Sequence, residues 1–430
     1  MKNLADRLEF ALKNSRKTKT QLWQACNLSS GAVSQWFNGA TKQLKGENLL
    51  NAAKLLNINP RWLATGEGAW SLNEMADNET TKKLKWGILG AARVNERLLP
   101  AIIEASNSQL VAIASRRAGA AKATLEKYAP NHTRNVACYD DMDALINDKN
   151  IDAIYCPMAN EEHAEWAIKA INAGKHVLIE KPMATTLQDI DAIETAAKKN
   201  NVKVMEGFMY RFHPQHARVA EIVQSGVIGD ILSVRSSFSF LMREARMYRI
   251  NRAMSQGGGA MWDIGPYAIH TLRWGIGLSM PMATCVPIEP VSIIAHAKLN
   301  EHSADIVTSG VLDFGNDAKG RARFGHFDVS FERSRKSEYE LIGDKGWLKC
   351  HTVWAFDKDI PVISWGTDTG ESGEEKLSPA NHFTLEIEHF SDCVLNNKPP
   401  HLTFDDAKVN CKAIQTVLQS VATGGMIACA

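Results

Sequence analysis

The sequence predicts a doubly wound α/β domain followed by an α+β domain with a large, mostly antiparallel sheet, the pair preceded by a small all-α domain. Three observations carry this reading. Between residues 84 and 206, short apolar runs alternate with amphipathic segments, the pattern of parallel strands joined by helices. From about residue 207 the strand candidates lengthen and alternate apolar with polar, as in a sheet covered on one face. Before residue 69 only helical periodicity is present. The 430 residues are 45% hydrophobic and 23% charged, which suits several folded domains and excludes a disordered or collagen-like chain.

In the head, residues 1–68, the first helix covers about 3–14, with Leu4, Leu8, Ala11 and Leu12 on one face. A short helix follows at 20–26. Ser29 or Ser30 can cap a third helix that runs through Phe37 and stops at Asn38-Gly39. A fourth covers 47–56, and Pro60 opens a fifth. Residues 1–70 hold ten basic and four acidic residues, whereas the remainder carries five more acids than bases, so a total charge of +1 hides a basic head on an acidic body. Residues 69–82 are polar and aperiodic, a linker, and Met75 within it offers an alternative start for the body.

Strands of the α/β domain, 83–206, are expected at 84–89, 110–115, 135–138, 152–156, 176–179 and 202–206. In the second domain, 207–430, a helix at 212–224 leads to a strand at 231–240 and a helix at 260–275. Strands follow at 292–299, 307–314, 322–334 and 338–342, and two helices close the chain at 383–396 and 405–422.

No apolar run reaches the 18 to 20 residues that span a bilayer, and the polar start MKNLADRLEFALKNSRK is not a signal peptide. Eight cysteines are scattered without a CxxC or zinc spacing. These features predict a cytoplasmic protein with reduced thiols, no membrane partner and no metal site.

LKWGILGAARVNERLLPAI reads as strand, tight turn and helix. At the three glycine positions of a G-x-G-x-x-G fingerprint stand Gly90, Ala92 and Asn95. The chemistry requires backbone close to a pyrophosphate at a helix N-terminus, which assigns Gly90, Ala91, Ala92 and Arg93 to the cofactor. At the end of the second strand, where an NAD site has a carboxylate, the chain has Ser115, Arg116 and Arg117. Ser and Arg can hydrogen-bond a 2′-phosphate, so the expected cofactor is NADP rather than NAD. Asp263 and Tyr267, four residues apart, would share one face of a helix. The preceding run Gly257-Gly258-Gly259 would let backbone approach a ligand.

Two resemblances sharpen this. TKTQLWQACNLSSGAVSQWFNG and INPRWLATGEG resemble the phage-repressor (XRE-like) helix-turn-helix family, with Trp23 where the family usually has a small residue and Asn27 where it often has Gly. The resemblance implies DNA contact by Ser29, Ser30, Gly31, Ser34 and Gln35, with Lys19 and Lys42 on the phosphate backbone. Residues 84–115 together with YCPMANEEHAEWAIKAINAGKHVLIEKPMA, VMEGFMYRFHP, GGGAMWDIGPYAIHTLRW and FDVSFERSRKSEYELIGDKGWL resemble the Gfo/Idh/MocA oxidoreductases. Within that family the sequence looks most like the branch of glucose–fructose oxidoreductase, dihydrodiol dehydrogenase and NADP-dependent xylose dehydrogenase.

The second resemblance implies a Rossmann domain and several roles. Lys181 of Glu180-Lys181-Pro182 would be the catalytic lysine, with Pro182 cis and Glu180 beside the cofactor. Tyr267 would be the general acid/base, its pKa lowered by the Lys181 cation, and Asp263 would orient the substrate. Asn160 and His163 would line the nicotinamide side. Glu206, Tyr210, Arg211 and His213 would lie at the hinge, with Arg211 reaching the cofactor, while His270 would pack in the helix. The reaction implied is hydride transfer between NADP and a sugar, cyclic diol or ketone in a homo-oligomer, dimer or tetramer. The alternative is a transcriptional regulator whose oxidoreductase-like body senses NADP or a sugar.

Overall fold

The computed structural model describes residues 3–15, 17–44, 46–66, 70, 82–278, 288–354 and 360–429. The chain divides into two compact units, Met1–Lys82 and Lys83–Ala430. Apart from Trp70 and Lys82, the expected linker and Met75 lie outside the described residues.

The first unit is helical throughout: α1 Leu4–Ser15, α2 Lys19–Ala25, α3 Ser30–Phe37, α4 Gly46–Leu56 and α5 Pro60–Thr65. Its helices bury one apolar stripe each, so Leu8, Leu22, Val33, Trp36 and Leu63 form one core. Thr18 and Gln21 form a capping box at the start of α2, and the Ser29 hydroxyl accepts the Ala32 N–H at the start of α3. Asn27 takes φ +51° in the turn between them, so the asparagine adopts the left-handed backbone that a glycine would. One of the basic residues of the head is buried: Arg7 donates from Nε to Leu63 O and from Nη2 to Ala64 O, which ties α1 to the end of α5.

In the second unit six parallel strands lie in the order β3-β2-β1-β4-β5-β6. They are β1 Leu84–Leu89, β2 Ser108–Ala114, β3 Ala137–Tyr139, β4 Ala153–Cys156, β5 His176–Glu180 and β6 Val204–Gly207. The strands are buried runs of Ile, Leu, Val and Ala with helices between them, as a sheet covered on both faces requires. The strand order reverses between β1 and β4, which opens a crevice beyond their carboxyl ends.

The second sheet has nine strands: β7 Ile231–Ser239, β8 Ser292–Leu299, β9 Asp305–Asn316, β10 Ala322–Ser330, β11 Lys336–Gly343, β12 Gly346–Cys350, β13 Val362–Thr367, β14 Ser372–Lys376 and β15 Ile427–Ala428. Their order is β14-β13-β12-β11-β7-β10-β9-β8-β15. All neighbours are antiparallel except β7 and β10. The helices Gly265–Gly277 and Phe404–Thr423 cover one face.

Three expectations change. The helix expected over 260–275 is two, Ala260–Asp263 and Gly265–Gly277, with Ile264 at φ −118° between them. Pro266 lacks the N–H that would bond Trp262 O, and its ring would strike that carbonyl in a continuous helix. The strand expected to reach 334 ends at Ser330, where residues 331–333 bend. Helix His382–Leu395, from the second half of the sequence, packs on the parallel sheet: Trp86 Nε1 donates to Ser391 Oγ at 3.2 Å, and the Trp86 and Phe390 rings lie 5.5 Å apart.

Candidate active site

The turn after β1 puts Gly90 at φ +105°, a backbone that side chains rarely adopt, with Met158 Sδ 3.4 Å from where a Cβ would stand. Asn95, at the third fingerprint position, donates from Nδ2 to Gly90 O at 2.9 Å and so closes the turn with a side chain. Ten-residue helix α6, Asn95–Glu104, starts there. Ala91, Ala92 and Arg93 line a cleft of about 600 Å³, within the range that holds small ligands. A glycine-like turn at a helix N-terminus, open to a cleft, fits a pyrophosphate.

At the end of β2 the Ser115 hydroxyl accepts the Arg117 N–H at 3.2 Å. Arg117 reaches back to Ala91 O at 3.4 Å. Arg116 forms a bidentate pair with Glu162 at 2.6 and 3.0 Å. Two exposed guanidinium groups and a hydroxyl therefore stand beside the turn, a donor set that suits a phosphate. Arg116 must exchange Glu162 for such a ligand.

Beyond β5 the Lys181–Pro182 bond is cis. The Lys181 Nζ donates to Asp263 O at 2.6 Å and lies 3.7 Å from Asp263 Oδ1. It also lies 5.2 Å from the centroid of the Tyr267 ring. Lys181, Asp263 and Tyr267 thus converge at the cleft although the helix between the last two is broken. The Tyr267 hydroxyl donates to Met209 Sδ at 3.4 Å. Its pKa is not lowered. Burial first, then the charges of Glu180, Glu386 and Asp263, push the phenol well above its ordinary value. At neutral pH Tyr267 holds its proton.

The surroundings hold the lysine turn from both sides. His163 Nδ1 lies 2.7 Å from Pro182 O, and its Nε2 lies 3.0 Å from Met158 O. Burial lowers its pKa to about 4, so the ring is neutral and donates to one carbonyl only. His163 therefore supports the turn from the cleft wall through a single N–H. Glu206 Oε1 accepts the Met183 N–H at 2.8 Å, and burial raises that carboxyl to about 8. Glu180 accepts from the Tyr155 hydroxyl at 2.5 Å and from its neighbour's N–H at 3.2 Å. Asn160 Nδ2 donates to Gly257 O at 3.1 Å, bridging the two halves of the cleft.

One further reading is corrected. Arg211 does not reach the cleft: its guanidinium lies over the Trp274 ring at 4.5 Å, with Nη2 3.3 Å from His401 Nε2. The face of the Trp274 ring and His401 hold it there. The glycine run lines the cleft through Gly257 and Gly259, and it is also small for the protein's own sake. A Cβ on Gly258 would strike Arg252 O, and one on Gly259, at φ +91°, would strike the Asp305 carboxylate. Asp305 Oδ2 accepts the Met261 N–H at 2.8 Å and fixes the start of helix Ala260–Asp263. His270 packs as expected, bonded to Tyr210 and Asp406.

Sequence reasoning missed Arg97, Arg246, Arg335, Trp354 and Phe383 in the cleft wall, and Glu386 behind it. In the first unit Ser29, Ser30, Gly31, Ser34, Gln35, Lys19 and Lys42 are all exposed, with Lys19 Nζ 4.1 Å from the Phe37 ring centroid. Among the described residues no helix is long and apolar enough to cross a membrane, and no cluster of three His, Cys, Asp or Glu is placed to hold a metal ion.

Comparison with known proteins follows the same lines. Residues 84–208 match the model "Oxidoreductase family, NAD-binding Rossmann fold" of the GFO/IDH/MocA group, and residues 216–349 match the GFO/IDH/MocA C-terminal domain. Both begin after residue 83 and leave the head outside. D-xylose 1-dehydrogenase (NADP(+)) 2 of Haloferax volcanii is 28% identical over 80% of this chain and 99% of its own. A dTDP-3,4-didehydro-2,6-dideoxy-alpha-D-glucose 3-reductase of Streptomyces violaceoruber is 31% identical over 74% of this chain and 86% of its own. The crystal structure of a 3-ketoreductase from Actinomadura kijaniata with NADP and TDP-benzene superposes with a TM-score of 0.68 at 26% identity, covering 79% of this chain and 98% of that one. With a cis Lys-Pro turn meeting an Asp and a Tyr beyond a parallel sheet, and with both halves matched, the chain belongs to the Gfo/Idh/MocA oxidoreductase family.

Proposed function

We propose that this chain transfers a hydride between NADP and a carbon bearing a hydroxyl or carbonyl on a sugar, cyclic diol or ketone. The observation that carries the reading is the meeting of Lys181, Asp263 and Tyr267 at the cleft beside the Gly90 turn. NADP, when bound, accepts or supplies the hydride. Ala91 to Arg93 would hold its pyrophosphate, and Ser115, Arg116 and Arg117 its 2′-phosphate. Lys181 orients the reacting oxygen with an ammonium hydrogen bond, and the Tyr267 hydroxyl delivers the proton to it. A phenol whose pKa is raised well above the ordinary value keeps its proton and so suits the donor role when a carbonyl is reduced. Asp263 holds Lys181 in place and accepts from substrate hydroxyls.

Tyr267→Phe should lower kcat by about 10² to 10⁴-fold while NADPH binding, followed by fluorescence titration, stays unchanged. Full activity in the variant would sink the assignment.

A second reading concerns the head. The exposed face of α3, with Ser29, Ser30, Ser34 and Gln35 flanked by Lys19 and Lys42, favours DNA contact. The enzyme body could then act as a sensor of NADP or sugar for that head.

A further inference from the structure

The relatives act on free sugars and on nucleotide-linked ones, so their names leave the charge of this chain's substrate open. The cleft wall speaks to it. Phe238 near the end of β7, Phe240 just beyond it and Trp354 give the cleft an aromatic side, with Phe238 and Trp354 stacked at 4.9 Å. Beside it stand Arg246, from the turn Glu244–Arg249, and Arg335, just before β11. Arg252, also in the wall, is paired with Glu161. Arg93 and Arg97 belong to the turn and to α6, the dinucleotide side.

Arg246 differs from these. Its side chain is partly buried, lines the cleft and makes no hydrogen bond or ion pair with any described residue. A guanidinium on a cleft wall without a protein partner can take up an anion, and its planar fork matches a phosphate or carboxylate. Aromatic faces beside it suit the apolar face of a sugar ring.

We infer that, on the oxidoreductase reading above, the substrate is an anionic sugar derivative whose phosphate or carboxylate is bound by Arg246 at the aromatic side of the cleft. Arg335 shares that rim and adds to the positive field. The reacting carbon then lies at Lys181 and Tyr267, and the anion is a handle that takes no part in the hydride step.

Steady-state kinetics of the full chain with NADP⁺ test this by comparing D-glucose with D-glucose 6-phosphate, D-glucuronate and uridine diphosphate glucose. At least one anion should exceed the neutral sugar in kcat/KM by about ten- to a hundredfold, the effect of one charge-assisted contact. The phosphate and uronate arms tell the two anions apart. Arg246→Ala should raise KM for the preferred anion by a similar factor with NADPH affinity unchanged, and Arg246→Lys should recover part of it. Equal turnover of neutral and anionic sugars would overturn the inference and leave the oxidoreductase reading standing. So would a preference that survives Arg246→Ala, or a loss of NADPH affinity in that variant. Turnover of none of them would overturn both.

Discussion

Glu206 touches no reacting atom, yet it holds the turn that carries Lys181 through the Met183 N–H. Only 3% of the residue is exposed, and burial raises its carboxyl to about 8 from an ordinary 4.5. Between those values the folded protein keeps a proton that the unfolded chain releases. Stability contributed by the neutral form is therefore full below the lower value and is lost as pH rises through the upper one. Glu206→Gln retains an amide oxygen for Met183 and cannot titrate. Its Tm, compared with the parent across that window, should gain as pH rises, by at most about 5 kcal/mol in stability. A difference independent of pH would show that another group titrates. The same turn shows what a motif can and cannot tell. Glu180-Lys181-Pro182 stood out in the sequence, but Glu206 and His163, which clamp it, are ordinary letters until the backbone brings them to Met183 and Pro182.

At the scale of elements, Asp263 reaches the site by a different route from the one its spacing suggested. The four-residue interval to Tyr267 implied one helix face, whereas Pro266 splits the helix and the start of β9 sets the first piece in place through Asp305. A methyl group on Gly259 would meet that carboxylate at a φ no L-residue favours. Gly259→Ala should cost roughly 2 to 4 kcal/mol of stability by thermal unfolding and disturb turnover along with it. Unchanged Tm and activity would show that the segment can relax. Strand and helix positions of the parallel sheet were legible because buried strands and amphipathic helices differ in period. The later strands β12 to β15 were not, since they are short and half-exposed. Helix His382–Leu395 was legible as a helix, but nothing local in it says that Trp86, some three hundred residues earlier (separation 305), is its partner. Arg246 lies in a short 3-10 helix and Arg335 in an irregular segment, where only the closed fold reveals a shared wall.

For the whole molecule, the head and the body each carry a hydrophobic core with its own members. A chain of residues 83–430 should therefore keep NADP-linked turnover within about twofold of the parent. It should also lose the mobility shift of duplex DNA expected of the full chain. Loss of turnover on removing the head would show that the body depends on it, and a shift that persists would place the nucleic-acid contact elsewhere. The order of the nine-stranded sheet has a consequence during synthesis. β7 lies between β10 and β11 in that sheet, and both follow it by roughly ninety residues or more. As the chain leaves the ribosome, β7 has both of its edges unpaired until those strands arrive. Phe238, which will stack on Trp354, waits with it. The interval is one in which an unpaired strand can join a neighbouring chain instead. How soon β10 and β11 follow β7 out of the ribosome then sets how long its edges stay open to such pairing.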